Sequence, residues 1–462
     1  MMQATTKSSG ITKSGAGSLT IEKDPFPAAT PKQVVAVTDK VFPAVVRLDV
    51  AQEIYRDGKR TLQRGIGSGV IIDADGHILT NYHVAGRAAE IFVTLSNKER
   101  VRGKLVGDDH WTDLAVVRMD MDEVSKKKFA FTYAELGDSK SLVTGQDVIA
   151  IGTPFGLART MTLGIVSNTD RTFYPDKQDI DDYETGEFSN WIQMDTPIAP
   201  GNSGGPLVDL NGKIVGINTR GVSGQALNFA IPIDEAKQVV KAILESASES
   251  HQGKVTRGYL GVDFKPLQDL ETFYELDINK GALISTVDRG SPAAKAGLKA
   301  QDILLAINGT PTNVRFPEEI SPARKLISQL PIGTEVELSI RRDGKEQVVK
   351  ATVEKLESRV GDEKEFKAWG LSVRDVTRAY MIDNRLDDDT GVVVTSVSSG
   401  EPADKAKLQP GDVIRQVNGT DVVDLDSFAS SYEQAVKDKT PQLLLGIQRG
   451  RGVQSAVLKV TY

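Results

Sequence analysis

From about residue 33 to 235 the apolar positions recur with a period of two in short runs broken by turn residues. Ile91, Val93 and Leu95 alternate with Phe92 and Thr94, as a half-buried strand requires. Gly205-Pro206-Leu207-Val208-Asp209-Leu210 and Lys213-Ile214-Val215-Gly216-Ile217 flank Asn211-Gly212, a strong hairpin signal. Many short strands at this spacing predict barrels or a sandwich. Residues 170–189, with acids around Tyr174 and Tyr183, show no period and read as a long loop, as does 51–64 (AQEIYRDGKRTLQR). The period then changes to that of a helix over 234–248, where Ala236, Val239, Val240, Ile243 and Leu244 form one stripe. Ser, His and Gly at 246–253 make a linker.

The C-terminal half repeats itself. GSPAAKAGLKAQDILLAINGT (290–310) and GEPADKAKLQPGDVIRQVNGT (400–420) run in register at an offset of 110, each behind a matching β-run, GALISTV or GVVVTSV. Pro292 and Pro402 open short helices, and Asn308-Gly309 and Asn418-Gly419 mark turns. Two similar domains follow, over 258–356 and 368–462, joined by the charged stretch ESRVGDEKEF.

Composition narrows the classes. A chain of 462 residues holds about three domains. Its net charge of −7, with acids and bases interspersed, disfavours nucleic acid and anionic membranes as partners. No apolar run nears the ~18 residues of a membrane span. Cysteine is absent, which excludes disulfides, Cys-ligated zinc and thiol catalysis. The histidines are isolated and no HExxH occurs, so neither a metal nor another cofactor is expected. Residues 1–32 read as a disordered lead, rich in Ser, Thr, Gly, Ala and Lys over the first 24, without a secretory apolar core. Either a leader has been replaced by a start Met, or the protein is cytosolic.

Candidate chemistry centres on Pro200-Gly201-Asn202-Ser203-Gly204-Gly205-Pro206. Glycines around a Ser let successive N–H groups converge where an oxyanion would form, although a GxSGG string alone is equally a polar turn. A Ser nucleophile needs a base and the base an orienting carboxylate. Of the four His, His77 follows a turn, His110 lies in a charged segment and His251 in the linker; His83 sits where a strand-like run gives way to a turn. Asp113 heads the β-branched run Leu114-Ala115-Val116-Val117, an unfavourable place for an unpartnered charge.

Taken together, TNYHV, TDLAVV and GNSGGPL, with GIGSGVII, GTPFGLARTMTLGIVS and NFAIP, resemble the HtrA/Deg branch of the trypsin-like serine proteases. The resemblance runs from about 33 to the C-terminus. It implies a mainly β protease domain over 33–249, built of two six-stranded barrels, and two PDZ domains of α+β type. His83 and Asp113 would come from the first barrel and Ser203 from the second. It implies catalysis by His83, Asp113 and Ser203, an oxyanion hole at Gly201, Asn202 and Ser203, and pocket walls at Ile198 and Leu227. In the first PDZ domain, Tyr259-Leu260-Gly261-Val262 would bind a peptide carboxylate. In the second the corresponding loop is read as Gly370-Leu371-Ser372-Val373, with Ser372 replacing a glycine. Tyr82, Ala199 and Asn228 depart from the family pattern.

The resemblance further implies unfolded protein substrates, peptides with hydrophobic C-termini as ligands, a homotrimer contacting near Val41-Phe42-Pro43-Ala44, and the periplasm or cell envelope. Pro197 stands six residues before Ser203 and Asp195, eight before it, is read as structural, so the pocket holds no countercharge and cleavage is expected after Val, Ala, Ile and similar aliphatic residues. A chaperone or peptide-binding scaffold without chemistry and an esterase with the same triad are the alternatives. Casein digestion beside a small ester separates them.

Overall fold

The structure is a computed structural model that describes residues 28–153, 160–172, 179–180, 183–184, 188, 190–199, 201–221, 226–248, 253–277 and 279–461. The N-terminal lead to residue 27, His251, Pro200 and most of the 170–189 segment lie outside the described residues.

Helix α1 (Pro31–Val41) precedes a closed barrel of β1 (Val45–Arg56), β2 (Lys59–Ile71), β3 (His77–Thr80), β4 (Ala88–Thr94), β5 (Arg100–Asp109) and β6 (Leu114–Met119). Within it, α2 (Tyr82–Ala85) follows β3; α3 (Met121–Lys127) follows β6. A second closed barrel joins β7 (Asp147–Gly152), β8 (Thr160–Arg171), β11 (Trp191–Met194), β12 (Pro206–Val208), β13 (Ile214–Gly221) and β14 (Asn228–Pro232). Between β8 and β11 run the two-residue strands β9 (Asp179–Ile180) and β10 (Tyr183–Glu184), paired with each other.

The alternation in β6 explains how the barrels meet. Ala115 and Val117 face the interior of the first barrel beside Val46, Leu48 and Ile78. Leu114 and Val116 face the other way, into a core shared with Ile149, Ile151, Val208 and Ile217 of the second barrel. Helix α4 (Ile233–Ser248) lays its stripe of Ala236, Val239, Val240 and Ile243 on that same core. Each fully buried Leu or Val there contributes about 1.5–3 kcal/mol. The 51–64 segment, read as a loop, is instead the regular outer half of the β1–β2 hairpin, turning at Asp57 and Gly58, both at positive φ.

The first C-terminal unit comprises β15 (Gly258–Tyr259), β16 (Val262–Lys265), β17 (Ala282–Val287), α5 (Pro292–Lys295), β18 (Ile303–Ile307), β19 (Thr310–Pro311), α6 (Ile320–Ser328), β20 (Glu335–Arg342), β21 (Lys345–Thr352) and β22 (Glu354–Lys355). Its sheet runs β16-β17-β18-β20-β21, with β16 at the edge. The second unit comprises β23 (Glu363–Phe366), β24 (Leu371–Asp375), α7 (Arg378–Asp383), β25 (Val392–Val397), α8 (Pro402–Lys405), β26 (Val413–Val417), β27 (Thr420–Asp421), α9 (Leu425–Lys437), β28 (Gln442–Arg449) and β29 (Gly452–Lys459). Its sheet runs β23-β24-β25-β26-β28-β29.

The repeat holds in structure as well as sequence. Asp302 and Asp412, each buried, take a bidentate arginine, Arg342 and Arg449 respectively, with N···O distances of 2.6–2.7 Å. Two expectations change. The charged stretch read as a connector contains strand β23. The second loop is shifted by two residues: Gly370 (φ 71°), not Ser372, matches Gly261 (φ 77°). Ala293 N–H donates to Leu260 O and Ala403 N–H to Trp369 O, so Leu260-Gly261 corresponds to Trp369-Gly370. Ser372 lies inside β24, its hydroxyl sharing hydrogen bonds with Thr395 and Ser396. The offset is 109 at the loop and 110 in the helical half of the repeat, so the second copy carries one residue more between them.

Candidate active site

Asp113 is the pivot of the site. It ends a short helical turn in the left-handed conformation, φ 58° and ψ 40°, which Asp tolerates better than most residues. That kink turns its carbonyl to accept from Tyr82 N–H at 3.1 Å and Asn81 Nδ2 at 3.0 Å. Helix α2 is thereby pinned with His83 facing the Asp113 carboxylate. His83 Nδ1 lies 3.0 and 2.9 Å from the two carboxylate oxygens, and His83 N–H donates to Oδ1 at 3.1 Å. Thr219 Oγ1 donates to Oδ2 at 2.6 Å. Asp113 is fully buried. Burial alone would push its carboxyl up; the neighbouring His83 and Arg220 and the hydrogen bonds from His83 and Thr219 outweigh it and hold it below the usual carboxylate range.

Ser203 approaches from the second barrel on a loop clamped to the first. Ser68, fully buried in GIGSGVII, donates its N–H to Ser203 O (2.9 Å) and its hydroxyl to Gly201 O (2.6 Å). Thr80 Oγ1 donates to Ser68 O at 2.7 Å. Gly204, at φ 81°, passes so close to Ser68 O and Thr80 Oγ1 that no Cβ fits. Asn202 is buried with its side chain against Gly152. The N–H groups of Gly201 and Ser203 donate to no acceptor among the described residues, so both remain available for an oxyanion. Ser203 Oγ donates to Thr219 O at 3.0 Å. Among the described residues no hydrogen bond joins it to His83.

Thr219 therefore touches two of the three expected triad residues, with its side chain on Asp113 and its carbonyl on Ser203. Neither Thr219 nor Ser68 stood out in the sequence. Each lies in a string, GINT or GIGSGVII, whose chemistry becomes legible only once the barrels close. Arg220 beside them is half-buried, lies 5.2 Å from the Trp191 ring and faces Asp113.

On the pocket side, Ile198 is half-buried against the second barrel's core, and its N–H donates to Asn228 Oδ1 at 3.3 Å. Asn228, itself buried, lies between Ile198 and Gly221. Leu227 is partly buried against the core shared by the barrels. Asp195 is exposed and its carboxylate accepts Ile165 N–H at 2.6 Å, a backbone-bracing role.

Among the described residues, Asp73, Asp75 and His77 are grouped closely enough to share a cation. Asp73 already accepts from His77 Nδ1 (2.7 Å) and from the N–H groups of Asp75 and His77, as a self-satisfied turn does. No described helix is long and apolar enough to cross a membrane.

The loop of the first repeat opens on a cavity of about 250 Å³, lined by Tyr259, Leu260, Gly261 and Val262 with Arg324 of α6 and Arg378 of α7. Tyr259 OH donates to Asp288 Oδ2 at 2.6 Å, and Arg378 lies 5.2 Å from the Tyr259 ring. The loop is tied to the turn that carries Asp113: Arg257, two residues before Tyr259, pairs with buried Asp109, which also accepts from Thr112 Oγ1 at 2.6 Å.

Residues 67–217 match the trypsin-like peptidase domain, and 258–353 and 361–448 each match the PDZ domain. A probable periplasmic serine endoprotease DegP-like from Chlamydia trachomatis serovar D is 35% identical over 414 residues, covering 88% of this chain and 77% of that protein. One of the same description from Marinomonas sp. is 37% identical, covering 86% and 77%. A solved HtrA-type protease, AlgW with a tripeptide, superposes with a TM-score of 0.58 at 32% identity, over 70% of this chain and 97% of the other. With a trypsin-like double barrel followed by two PDZ domains, and with these relatives along most of its length, the chain belongs to the DegP-like serine endoproteases of the HtrA family and is a serine endopeptidase.

Proposed function

We propose that Ser203 is the nucleophile, His83 the general base and then the acid for the leaving amine, and Asp113 the group that orients His83 and stabilises its cation. The His83–Asp113–Thr219 network carries this reading, because a buried carboxylate kept ionised on a half-buried imidazole is what a Ser base requires. To react, Ser203 Oγ leaves Thr219 O and turns toward His83. The carbonyl oxygen of the substrate then takes up the Gly201 and Ser203 N–H groups, with Asn202 holding the turn between them. Ile198 and Leu227 form the pocket walls, with Asn228 beside Ile198, favouring Val, Ala, Ile and similar aliphatic residues before the cut.

Substrates are unfolded or damaged proteins, in protein quality control, since only an extended chain enters such a cleft. The first PDZ loop, through Tyr259, Leu260, Gly261 and Val262, takes peptides with hydrophobic C-termini. The relatives' names favour the periplasm and give the cytosolic alternative no support. A homotrimer is the proposed assembly. Val41 and Ala44 are buried in the chain's own core, which leaves Phe42 and Pro43 as the contact; a monomer by light scattering at micromolar concentration overturns it. The principal test is digestion of unfolded casein. Ser203→Ala should lose about 10³-fold or more of the rate while keeping its fold. Wild-type-like turnover in that variant removes the assignment.

A further inference from the structure

The two PDZ repeats differ in what lies along the strand that follows the loop. In the first, β16 is the edge of its sheet, and the N–H groups of Leu260 and Gly261 donate to no acceptor among the described residues. In the second, β24 is not an edge. Strand β23 pairs with it antiparallel, Glu363 opposite Arg374 through Phe366 opposite Leu371. It therefore runs toward the loop and ends there, as an incoming peptide with its C-terminus at the loop would.

The correspondence extends to atoms. Trp369 and Gly370, the counterparts of Leu260 and Gly261, both donate their N–H groups to Phe366 O at 3.0 Å. A main-chain carbonyl thus sits where a carboxylate would be bound. The Phe366 side chain is buried edge-on against Phe428 (4.8 Å between ring centroids) and Tyr432 (5.0 Å) of α9. Trp369 closes the cluster at 5.4 and 5.1 Å from the same two rings. Tyr432 OH accepts Ala368 N–H at 3.0 Å, and Lys364 reaches Asp426 of α9 at 3.3 Å. Outside this, the β1–β2 hairpin of the protease packs on the same edge. Gly58 N–H donates to Ser396 Oγ at 2.9 Å, and Ser398 Oγ donates to Asp57 O.

We infer that the second PDZ domain's ligand is this chain's own segment Glu363–Phe366. The groove is filled in cis, its loop amides are satisfied by Phe366 O, and the domain serves as a docking module for the β1–β2 hairpin. An external peptide would have to displace β23 and unseat Phe366 before meeting a donor, so one chain offers one peptide site. This goes beyond the peptide binding proposed for the first loop and does not depend on it.

The test uses the full chain carrying Ser203→Ala, a decapeptide ending in Val-Val with a free carboxylate, and its C-terminal amide. Calorimetric titration should give one peptide per chain, with the amide at least about tenfold weaker. Hydrogen exchange should slow within 259–265 on peptide binding and remain slow and unchanged within 371–375. Two peptides per chain, or slowing within 371–375 on binding, overturns the inference. Phe366→Ala should raise the stoichiometry to two and speed exchange within 371–375; a Phe366→Ala chain that folds and still binds one counts against it. Should Phe366→Ala unfold the domain, Lys364→Glu, opposing Asp426, should speed exchange within 371–375 severalfold, and no change there overturns the inference. If no peptide binds at all, the first-loop reading fails. Exchange within 371–375 of the free chain still decides the second: rates like the core strands support it, and rapid exchange refutes it.

Discussion

Two domains built from one repeat, in one chain, treat the same pair of backbone donors in opposite ways. Leu260 and Gly261 line an open cavity and give theirs to no acceptor among the described residues, whereas Trp369 and Gly370 give theirs to Phe366 O. An N–H left without an acceptor away from water costs about 1–3 kcal/mol, so a recognition loop remains a recognition loop only while solvent or ligand can reach it. Once a hairpin supplies the acceptor from within, that cost disappears, and stability and docking replace recognition. The arginine pairs at Asp302 and Asp412 are alike in both. The two domains separate at the sheet edge, and the buried ion pair stays the same.

The comparison can be broken in several ways. The largest effect isolates chemistry from recognition. Asp113→Asn should lower kcat on a fluorogenic casein-derived peptide by about 10⁴-fold without altering peptide affinity at the first loop. A loss below tenfold would show that Asp113 does not orient His83. Next come the paired glycines. A Cβ at Gly261 would overlap Ser291 and one at Gly370 would overlap Glu401, both at positive φ. Gly261→Val should weaken the Val-Val peptide by about 10- to 100-fold, the worth of one or two charge-assisted bonds. Gly370→Val should lower the melting temperature yet leave affinity within about twofold. Equal affinity losses would erase the contrast.

A smaller effect sharpens it. Tyr432→Phe removes the acceptor for Ala368 N–H and should cost the second domain about 1 kcal/mol by urea titration, with no change in peptide binding. The smallest concerns the first domain's tether. Burial, with Arg257 and Lys254 adding to it against the pull of Asp109, lowers the His110 pKa to about 4. The unfolded chain takes up a proton below about 6.5 while the folded one resists until about 4, so stability present above pH 6.5 falls as pH drops through that window. Burial raises Asp108 to about 6. The folded chain then binds the extra proton between about 4 and 6, so this group works in the opposite direction and offsets part of the loss. His110→Gln should flatten the fall in melting temperature between pH 7 and 5. An unchanged slope would mean that His110 titrates normally.

Much of this was legible in the chain because it depends on short strings. His83, Asp113 and Ser203 each sit at an element end marked by turn residues, and the α4 stripe follows helical spacing. Thr219 and Ser68 were not legible, since their partners lie 106 and 133 residues away. Strand β23 was hidden by composition: Glu363-Lys364-Glu365-Phe366 reads as a solvated connector until the α9 aromatics receive Phe366. The second loop was misplaced by two residues because the repeat keeps strict register only from the β-run through the Asn-Gly turn. Matching Gly to Gly needed the hydrogen bonds at Leu260 and Trp369.

Strand β6 has a last consequence. Its odd and even residues belong to different cores, so neither barrel can lose this strand without opening the other. His83 and Asp113 approach Ser203 across the seam of that shared wall. The two barrels should therefore melt as a single cooperative unit, and an unfolding event that exposed half a cleft, able to bind a strand and unable to cut it, has no stable form to occupy.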